Sequence, residues 1–438
     1  MLKNFWIYFG GVVLTSWLSS CGVKSEKVRE VSLDKEVAAQ PTKPTIDFPL
    51  RNHHSNYNET VKFDTLIHRF MHYWDVQGLS LGIVKDGKLL YAKAYGEADT
   101  INHEKTAPYH LFRTASVSKL VTAVAIMKLV EAKKIRLDQA VFGKKGILND
   151  TAYLHYNNPR LLKIKVEHLL THTGGWRNVY RTDPMFVPLA VAKRMQVKSP
   201  PSFETTLKFM LTQEVAFEPG KFYDYSNFGY CVLGKVVEKA AGMPYEKYVQ
   251  QILKPLGIER MRLSKNRMQD QAFTEVRYYE HANAEKKLSC YNTGDSVART
   301  YDATNIEALG PAGGWLATPT DLLRLVTAID GFSTLPDFLT PESIRAMTTP
   351  RDSSEKKVLG WKACNAQRWW RTGSLAGTGI VVKRRQDGIS YAIVTNTSTW
   401  RGPGFSYELE GLMRRGIKTI KQWPQKDLFL VTDSTAVQ

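Results

Sequence analysis

Hydrophobic residues alternate with polar ones in short extended runs near both ends of the folded part of the chain. Residues 79–84 and 89–95 flank an Asp-Gly pair, and residues 379–383 and 389–395 flank a second Asp-Gly pair. Runs of this length on either side of Asp-Gly are typical of β-hairpins. The pattern therefore predicts one hairpin early in the chain and one late.

Between the two hairpins the apolar positions follow helical spacing. From residue 120 to about 328, the strongest helical segments are residues 120–131, 228–241 and 319–328. The last is preceded by Thr318, with Asp321 three residues on, which is the pattern of a capping box. We predict an α+β fold: an antiparallel sheet from both chain ends flanked by helices, with an inserted, mostly helical lobe. The crevice between them is the expected site.

The first twenty residues have the layout of an export signal. Lys3 precedes a mostly apolar stretch that is too short to be a comfortable membrane span, and small residues lead to Cys21. This layout resembles a bacterial lipoprotein signal, which implies cleavage before Cys21 and lipidation of its sulfur. Gly22 is not the Asp that usually retains such proteins at the inner membrane, so the outer membrane is favoured.

Composition sets the remaining expected boundaries. Residues 21–60 are polar and predict a flexible tether, residues 61–420 a folded domain, and residues 421–438 a C-terminal tail. With 43% hydrophobic residues in 438, the chain can bury a large core.

The formal net charge is +18, and the first twenty residues contribute only Lys3 to it. In an exported, lipid-anchored protein this charge favours anionic envelope polymers, peptidoglycan among them, or lipid headgroups over nucleic acid. A generally basic surface without a specific partner is the simpler alternative. The oligomeric state is left open by the sequence.

The cysteines give no sign of a metal site. Cys231, Cys290 and Cys364 have no Cys-x-x-Cys spacing, which argues against zinc and against a disulfide framework. A single Cys290–Cys364 bridge stays open, and Cys231 lies in an apolar run and is expected to be buried. No cofactor is implied.

Ser-x-x-Lys is the first pattern with catalytic potential. It places a lysine one helical turn from a serine, and burial can lower a lysine pKa by ~3–5 units so that the amine takes the hydroxyl proton. Only one match precedes an apolar helix, and we predict Ser116 as nucleophile with Lys119 as its partner. The four matches begin at Ser32, Ser116, Ser353 and Ser354.

Two further patterns can complete such a site. Tyr225-Ser226-Asn227 supplies a phenol that can exchange protons beside an ammonium, and an amide that can bind substrate; Tyr156-Asn157-Asn158 also fits but lies in a polar loop. A basic residue or histidine followed by Thr-Gly occurs at His172 and at Arg371-Thr372-Gly373. Only the second match precedes strand-like sequence.

These patterns occur in an order that resembles the serine β-lactamase and penicillin-binding protein superfamily, in its class C-like carboxypeptidase and esterase branch. The resemblance covers about residues 63–412. It implies a β-lactamase/transpeptidase-like fold. The matching segments are residues 112–119, 169–175, 218–230, 313–322 and 370–378.

Carried over by position, the resemblance implies that Ser116 is the nucleophile, Lys119 its base partner and Tyr225 the general base and acid. Asn227 would bind the substrate amide. The remaining substrate-binding residues would be Arg371, Thr372, Gly373 and Ser374, with the backbone N–H groups of Ser116 and Ser374 as oxyanion hole.

Arg371 departs from the superfamily pattern, in which this position is usually Lys or His. Arginine cannot act as a neutral partner, but its planar fork suits carboxylates. Two hypotheses follow for Arg371: it binds a substrate carboxylate, or it pairs with a protein carboxylate and holds the strand in place.

The sequence thus predicts a serine hydrolase of the β-lactamase and D-alanyl-D-alanine carboxypeptidase type. It would form an acyl-enzyme with a peptide, β-lactam or ester substrate in cell-envelope metabolism. The main alternative is a catalytically silent relative that binds peptidoglycan or a protein partner. Gly78-Leu79-Ser80-Leu81-Gly82 matches a nucleophile elbow, but that elbow needs a strand before it and a helix after it. Here a helical stretch precedes the match and a hairpin follows.

Overall fold

The computed structural model describes residues 50–177 and 182–431. The α-helices in these ranges are α1 (Val61–Trp74), α2 (Ser118–Glu131), α3 (Val166–Leu170), α4 (Pro188–Met195), α5 (Phe203–Leu211), α6 (Asn227–Ala241), α7 (Tyr245–Leu253), α8 (Pro319–Thr327), α9 (Pro341–Thr348) and α10 (Phe405–Thr419).

The β-strands of the same ranges are β1 (Gly78–Lys85), β2 (Lys88–Asp99), β3 (Glu104–Lys105), β4 (Phe112–Arg113), β5 (Arg262–Leu263), β6 (Tyr279–Glu280), β7 (Lys287–Leu288), β8 (Ser296–Val297), β9 (Trp315–Ala317), β10 (Ala363–Asn365), β11 (Arg368–Leu375), β12 (Thr378–Arg385), β13 (Ile389–Thr395) and β14 (Thr397–Ser398).

The two chain ends meet in one antiparallel sheet. Seven strands follow the order β10-β11-β12-β13-β1-β2-β3, so β1 from the early hairpin pairs with β13 from the late one. Leu81 lies between Lys93 of β2 and Ile393 of β13. The α+β class and both predicted hairpins are confirmed.

The sheet buries both of its faces, and its strands alternate between two cores. Val381 of β12 packs in a cluster with α1 and α10, whereas Ile380 and Val382 belong to the larger core with α2, α6 and α8. The α1–α10 contact is unusually close, because a Cβ added to Gly416 would stand 2.1 Å from the Phe63 ring. A glycine is therefore required where these helices meet.

The predicted helices occur nearly as expected. The helix α8 begins at the capping box of Thr318 and Asp321, and α6 begins one residue before the predicted position. The lobe also contains a small sheet in the order β4-β9-β5, which the sequence did not predict. Strands of two or three residues are too short to produce a readable alternation.

The predicted tether boundary at residue 60 differs from the structure. Asn52–Ser55 and Asn58–Thr60 form short 3₁₀ helices against β2. The Asn52 side chain bonds both backbone groups of Ala94, and the Ser55 hydroxyl bonds both backbone groups of Ala92. These side chains replace a neighbouring strand along an edge that would otherwise be open.

The predicted C-terminal tail also begins too early. Leu428 is buried, Asp427 Oδ1 accepts a hydrogen bond from the Leu89 backbone N–H at 3.0 Å, and the Arg324 guanidinium stacks on Phe429. Residues 421–431 therefore belong to the folded body. Residues 1–20 and Cys21 lie outside the described ranges.

Two further observations concern the described ranges alone. Cys231 is buried as expected, and Cys290 and Cys364 are buried free thiols, so the disulfide left open by the sequence is absent. No helix there is long and apolar enough to cross a bilayer.

Candidate active site

A cavity of about 340 Å³ lies where β11 meets the helical lobe. The structure brings the predicted catalytic and binding residues other than Lys119 together at this cavity, although Ser116 and Ser374 are 258 residues apart in a chain of 438. Its lining includes Ser116, Tyr225, Asn227, Arg371, Thr372, Gly373 and Ser374.

Ser116 is presented by a strained turn at the start of α2. Ala115 has a positive φ of 44°, which a residue with a side chain rarely adopts, and Ala115–Val117 forms a 3₁₀ turn. The Ser118 hydroxyl accepts from the Trp315 backbone N–H at 3.1 Å and bonds the Thr114 hydroxyl at 2.9 Å. These bonds fix the turn against β9, so the position of Ser116 is set by the fold.

Lys119 enters the core with α2 and is fully buried. Its Nζ donates to Asn227 Oδ1 at 2.7 Å, to the Ala312 carbonyl at 2.6 Å and to Ser116 Oγ at 3.4 Å. Burial lowers the pKa of Lys119, and the charge of Arg371 lowers it further. Three acceptors face the three N–H donors of an ammonium, so the surroundings offset part of the cost of burying its charge.

Tyr225 is the group nearest to the Ser116 hydroxyl. Its phenol oxygen lies 2.7 Å from Ser116 Oγ and 3.1 Å from Arg371 Nη2. Burial by itself would raise the pKa of Tyr225, but the charges of Lys119 and Arg371, with the surrounding hydrogen bonds, lower that pKa to about 8. A phenol with this pKa can hold or release a proton near neutral pH.

Arg371 is only 2% exposed, and its guanidinium is directed into the protein. Nε donates to the Ser116 carbonyl at 2.9 Å, Nη1 to the Trp361 carbonyl at 3.1 Å and Nη2 to Tyr225 OH. None of these partners is a carboxylate, so the pairing expected with a protein carboxylate is wrong. Each guanidinium nitrogen donates one hydrogen bond internally, which leaves the second N–H of Nη1 and of Nη2 unused by these bonds. The hypothesis that Arg371 binds a substrate carboxylate stays a prediction.

Thr372, Gly373 and Ser374, which follow Arg371, lie on β11 beside the Ser116 turn. A Cβ added to Gly373 would stand 2.8 Å from the Thr114 carbonyl oxygen and 2.9 Å from the Ala115 side chain. Only glycine therefore lets the strand approach this closely. Ser374 follows at the cavity wall, so the backbone of β11 runs past Ser116 as an oxyanion hole requires; the use of the two N–H groups stays a prediction.

Two positioning residues were not among the predicted site residues. Buried Asp183 accepts from the Asn227 backbone N–H at 2.6 Å and from that of Phe228 at 3.4 Å, at the start of α6. Buried His172 receives the Ser226 N–H on Nδ1, and its ring centroid is 4.4 Å from that of Tyr225. Burial, with Arg371 and Lys119 nearby, holds the pKa of His172 well below its usual value, so it supports Tyr225 as a neutral ring.

The competing matches lie away from this cavity or outside the described residues. Ser353 and Ser354 lie in an exposed turn, and Ser80 lies within β1, with β2 rather than a helix following. Tyr156 is not part of the cavity lining, and Ser32 falls outside the described ranges. In those ranges, no group of three His, Cys, Asp or Glu side chains is placed to hold a metal ion.

The sheet with its helical lobe, and a Ser-Lys-Tyr cluster at their junction, define the class of β-lactamase/transpeptidase-like serine hydrolases. Residues 63–407 match the model of the family described as Beta-lactamase. This chain belongs to that family.

Individual proteins that resemble this chain have low sequence identity to it. The human serine beta-lactamase-like protein LACTB, mitochondrial, is 24% identical over 387 residues, covering 73% of this chain. The match spans 65% of that relative's own length.

Two solved structures share the fold. The octameric penicillin-binding protein homologue from Pyrococcus abyssi has a TM-score of 0.58 at 24% identity, covering 81% of this chain and 77% of that one. The D-amino acid amidase from Ochrobactrum anthropi SV3 has a TM-score of 0.62 at 21% identity, covering 82% and 99%.

Proposed function

We propose that this protein hydrolyses a peptide, β-lactam or ester substrate through an acyl-enzyme on Ser116, in the metabolism of the bacterial cell envelope. One observation carries the proposal: Tyr225 OH lies 2.7 Å from Ser116 Oγ while its pKa is lowered to about 8. This pair supplies a nucleophile and a proton acceptor in contact.

Tyr225 is better suited than Lys119 to accept the serine proton. Burial lowers the pKa of Lys119, but its three N–H donors already have acceptors, whereas the charge of Arg371 directly favours the phenolate of Tyr225. In the proposed step, Ser116 Oγ attacks the substrate carbonyl carbon and its proton passes to Tyr225. Tyr225 then gives that proton to the leaving group, and the acyl-enzyme remains.

Deacylation repeats the exchange with water. A water molecule attacks the acyl carbonyl, Tyr225 takes one of its protons, and the proton returns to Ser116 Oγ as the acid leaves. Asn227, fixed through Lys119 and lining the cavity, is proposed to bind the acyl part of the substrate.

The charges around the cavity narrow the substrate class. Its lining includes Arg371 and Lys362 but neither Asp nor Glu among the described residues. A free substrate ammonium would have no carboxylate to pair with there. We therefore favour N-acylated amides, β-lactams and esters over free D-amino acid amides, although an amidase of that kind shares the fold.

The proposed location in the cell envelope is supported by the N-terminal sequence and by the net charge, not by the active site. Residues 1–21 resemble a lipoprotein signal, and the strong positive charge suits an anionic envelope surface. We propose a lipid anchor at Cys21, with the outer membrane favoured.

A burst experiment tests the proposed chemistry. The protein is mixed with a p-nitrophenyl ester, and in parallel with a penicillin followed by mass analysis. An acyl-enzyme predicts a burst of nitrophenol equal to the enzyme concentration, followed by slower turnover. Neither burst, turnover nor mass gain with either reagent would favour the catalytically silent alternative.

A further inference from the structure

A second cavity, of about 400 Å³, lies between α10 and the sheet, where β11 begins and β12 ends. Arg385 in its wall is six residues along β12 from Gly379, which pairs with Ser374. At about 3.3 Å per residue, this places Arg385 about 20 Å from the part of the sheet beside Ser116. Five cations and two carboxylates line the second cavity, so positive charge is in excess there. The cations are Arg368, Lys383, Arg385, Arg414 and Lys418.

The two carboxylates of this cavity are already paired with cations. Glu410 accepts a hydrogen bond from the buried Lys383 ammonium. Asp387 accepts from Arg385 Nε at 3.0 Å, and its second oxygen accepts from Arg385 Nη2. Neither carboxylate is therefore left to neutralise the cations that α10 contributes.

Arg414 and Lys418 are the two cations that α10 contributes to this cavity. They lie four residues apart, on one face of the helix, so their like charges repel each other. Among the described residues, neither has a hydrogen-bond partner or a carboxylate within 4 Å. Arg368 differs, because its guanidinium lies 4.6 Å from the centre of the Trp370 ring. An anion between Arg414 and Lys418 would replace their repulsion with attraction.

The phenol of Tyr391 is the observation that points to a ligand. Tyr391 lines the cavity and is only 2% exposed, and its OH has no hydrogen-bond partner among the described residues. Burial, and then the charge of Glu410, raise the pKa of Tyr391, whereas Arg385, Arg368 and Arg414 lower it. All four of these charged groups line the same cavity, so the OH is directed into it. The phenol is thus a protonated donor without an acceptor.

We propose that this cavity is a second binding site, which holds a phosphate monoester between Tyr391, Arg414 and Lys418. A phosphate monoester carries close to two negative charges near neutral pH and presents three acceptor oxygens. The Tyr391 OH donates to one oxygen, the planar Arg414 guanidinium donates to the others, and Lys418 adds a second charge. The site goes beyond the proposed function and does not depend on it, since none of these residues lines the cavity of Ser116.

Calorimetric titration of glycerol 3-phosphate into the full chain tests the site. At constant ionic strength we expect saturable binding to one site per chain, and weaker binding of dimethyl phosphate, which carries a single charge. Arg414→Met is expected to weaken the binding of glycerol 3-phosphate about tenfold or more, because charge-assisted hydrogen bonds are lost.

Arg415→Met is the matched control. Arg415 is the next residue of α10, is equally exposed and does not line this cavity, so its removal subtracts the same charge from the surface. Its affinity for glycerol 3-phosphate is expected to stay at the wild-type value. An equal loss in Arg415→Met would show that the attraction comes from the general positive charge, and would refute the site.

Tyr391→Phe separates binding from a role in the fold. Because the OH has no protein partner, its removal should leave the melting temperature without ligand unchanged or raised. It should still weaken the binding of glycerol 3-phosphate about fivefold, since one hydrogen bond to the ligand is lost. Absence of saturable binding to the wild-type chain, or wild-type affinity in both Tyr391→Phe and Arg414→Met, would overturn the proposal.

Vesicles distinguish a lipid headgroup from a soluble phosphate ester. The full chain with Cys21→Ser, which removes the proposed lipid acceptor, is sedimented with vesicles that contain phosphatidic acid, a monoester, or phosphatidylglycerol, a diester. Binding to phosphatidic acid that falls about tenfold in Arg414→Met but not in Arg415→Met would identify a headgroup as the ligand. Arg414-dependent binding of glycerol 3-phosphate without this difference on vesicles would identify a soluble ester. Both results support the site, and no dependence on Arg414 in either assay would refute it.

Discussion

Tyr225 and Arg371 form the residue pair on which the proposed chemistry depends. Tyr225 is buried, so its phenolate needs compensation, and Arg371 supplies a charge that cannot be lost by deprotonation. Lysine or histidine at position 371 could change its charge with pH, whereas arginine holds it constant. The departure from the superfamily pattern therefore provides a fixed positive field at the proposed base.

A pH profile tests this dependence. We expect kcat/KM for a neutral ester to rise with pH through a midpoint near 8, because the active form needs Tyr225 deprotonated. Arg371→Met removes a positive charge, which destabilises the phenolate, raises the pKa of Tyr225 and moves the midpoint upward. Arg368→Met, at an exposed position of the same strand, should leave the midpoint in place. An unchanged or lowered midpoint in Arg371→Met would contradict the account.

Sequence reasoning at this scale succeeded where the relation between residues is local. Ser116 and Lys119 share one turn of helix, so their proximity follows from spacing. The direction of the Arg371 guanidinium depends on how β11 lies against the Ser116 turn, and no local pattern encodes that packing. Asp183 was missed for the same reason, since it meets α6 only in the folded chain.

At the scale of elements, the start of α6 connects the fold to the candidate active site. Asp183 accepts two backbone N–H groups there, which satisfies donors that have no partner within the helix and places a negative charge at its positive end. Asn227 is the first residue of α6 and holds Lys119. A displacement of the start of α6 would therefore move Asn227, and with it the Lys119 ammonium beside Ser116.

Asp183→Asn tests whether the start of α6 positions Lys119 through Asn227. The amide removes the charge and one acceptor, so we expect the free energy of unfolding to fall by about 1 kcal/mol. We also expect kcat/KM to fall about tenfold, a loss that corresponds to about 1.4 kcal/mol. Denaturation and kinetics are measured on the same preparation. A less stable protein with unchanged kcat/KM would show that Asp183 supports the fold alone.

The contact between α1 and α10 gives a second test at this scale. In a helix interior alanine is favoured over glycine by about 1 kcal/mol, yet a Cβ at Gly416 would stand 2.1 Å from the Phe63 ring. We expect Gly416→Ala to lower the free energy of unfolding by about 1–3 kcal/mol, as in overpacked cores. Urea denaturation measures the change.

Gly411 on the same helix is the matched control. A Cβ there would meet only the flexible Arg415 side chain, at 3.3 Å. Gly411→Ala should therefore be neutral or stabilising. If both alanines stabilise the protein, the two helices are not packed as closely as described.

Long strands and helices were predictable because their hydrophobic periods extend over many residues. The capping box at Thr318 gave the start of α8 correctly, since the signal and the structure are both local. The short strands β4, β5 and β9 depend on partners distant in sequence, so their pairing was not visible. Together β4 and β9 hold the Ser116 turn, so the sequence pointed to Ser116 as the candidate nucleophile but not to the strands that support it.

At the scale of the whole molecule, polar sequence was mistaken for solvated sequence at both boundaries. Asn52 and Ser55 use polar side chains to bond the backbone of β2, and Asp427 does the same at Leu89. Both terminal segments thus cover the edge of one strand. Composition alone does not distinguish a polar tether from polar residues that satisfy a strand edge.

The proposed anchor is tested on the whole chain. We expect Cys21→Ser to abolish incorporation of labelled fatty acid and to release the protein from the membrane fraction, because the thiol is the proposed lipid acceptor. Fractionation and N-terminal mass analysis measure both effects. If the variant still sediments with membranes and keeps an unprocessed N-terminus, an uncleaved anchor replaces the lipid.

The central claim is that Ser116 carries the acyl group. The most direct measurement is peptide mapping by mass spectrometry after the protein is mixed with an activated ester. We predict a single adduct on the peptide that contains Ser116, and no adduct in Ser116→Ala protein that retains its fold by circular dichroism. An adduct of the same mass, formed at the same rate in Ser116→Ala, would contradict the assignment.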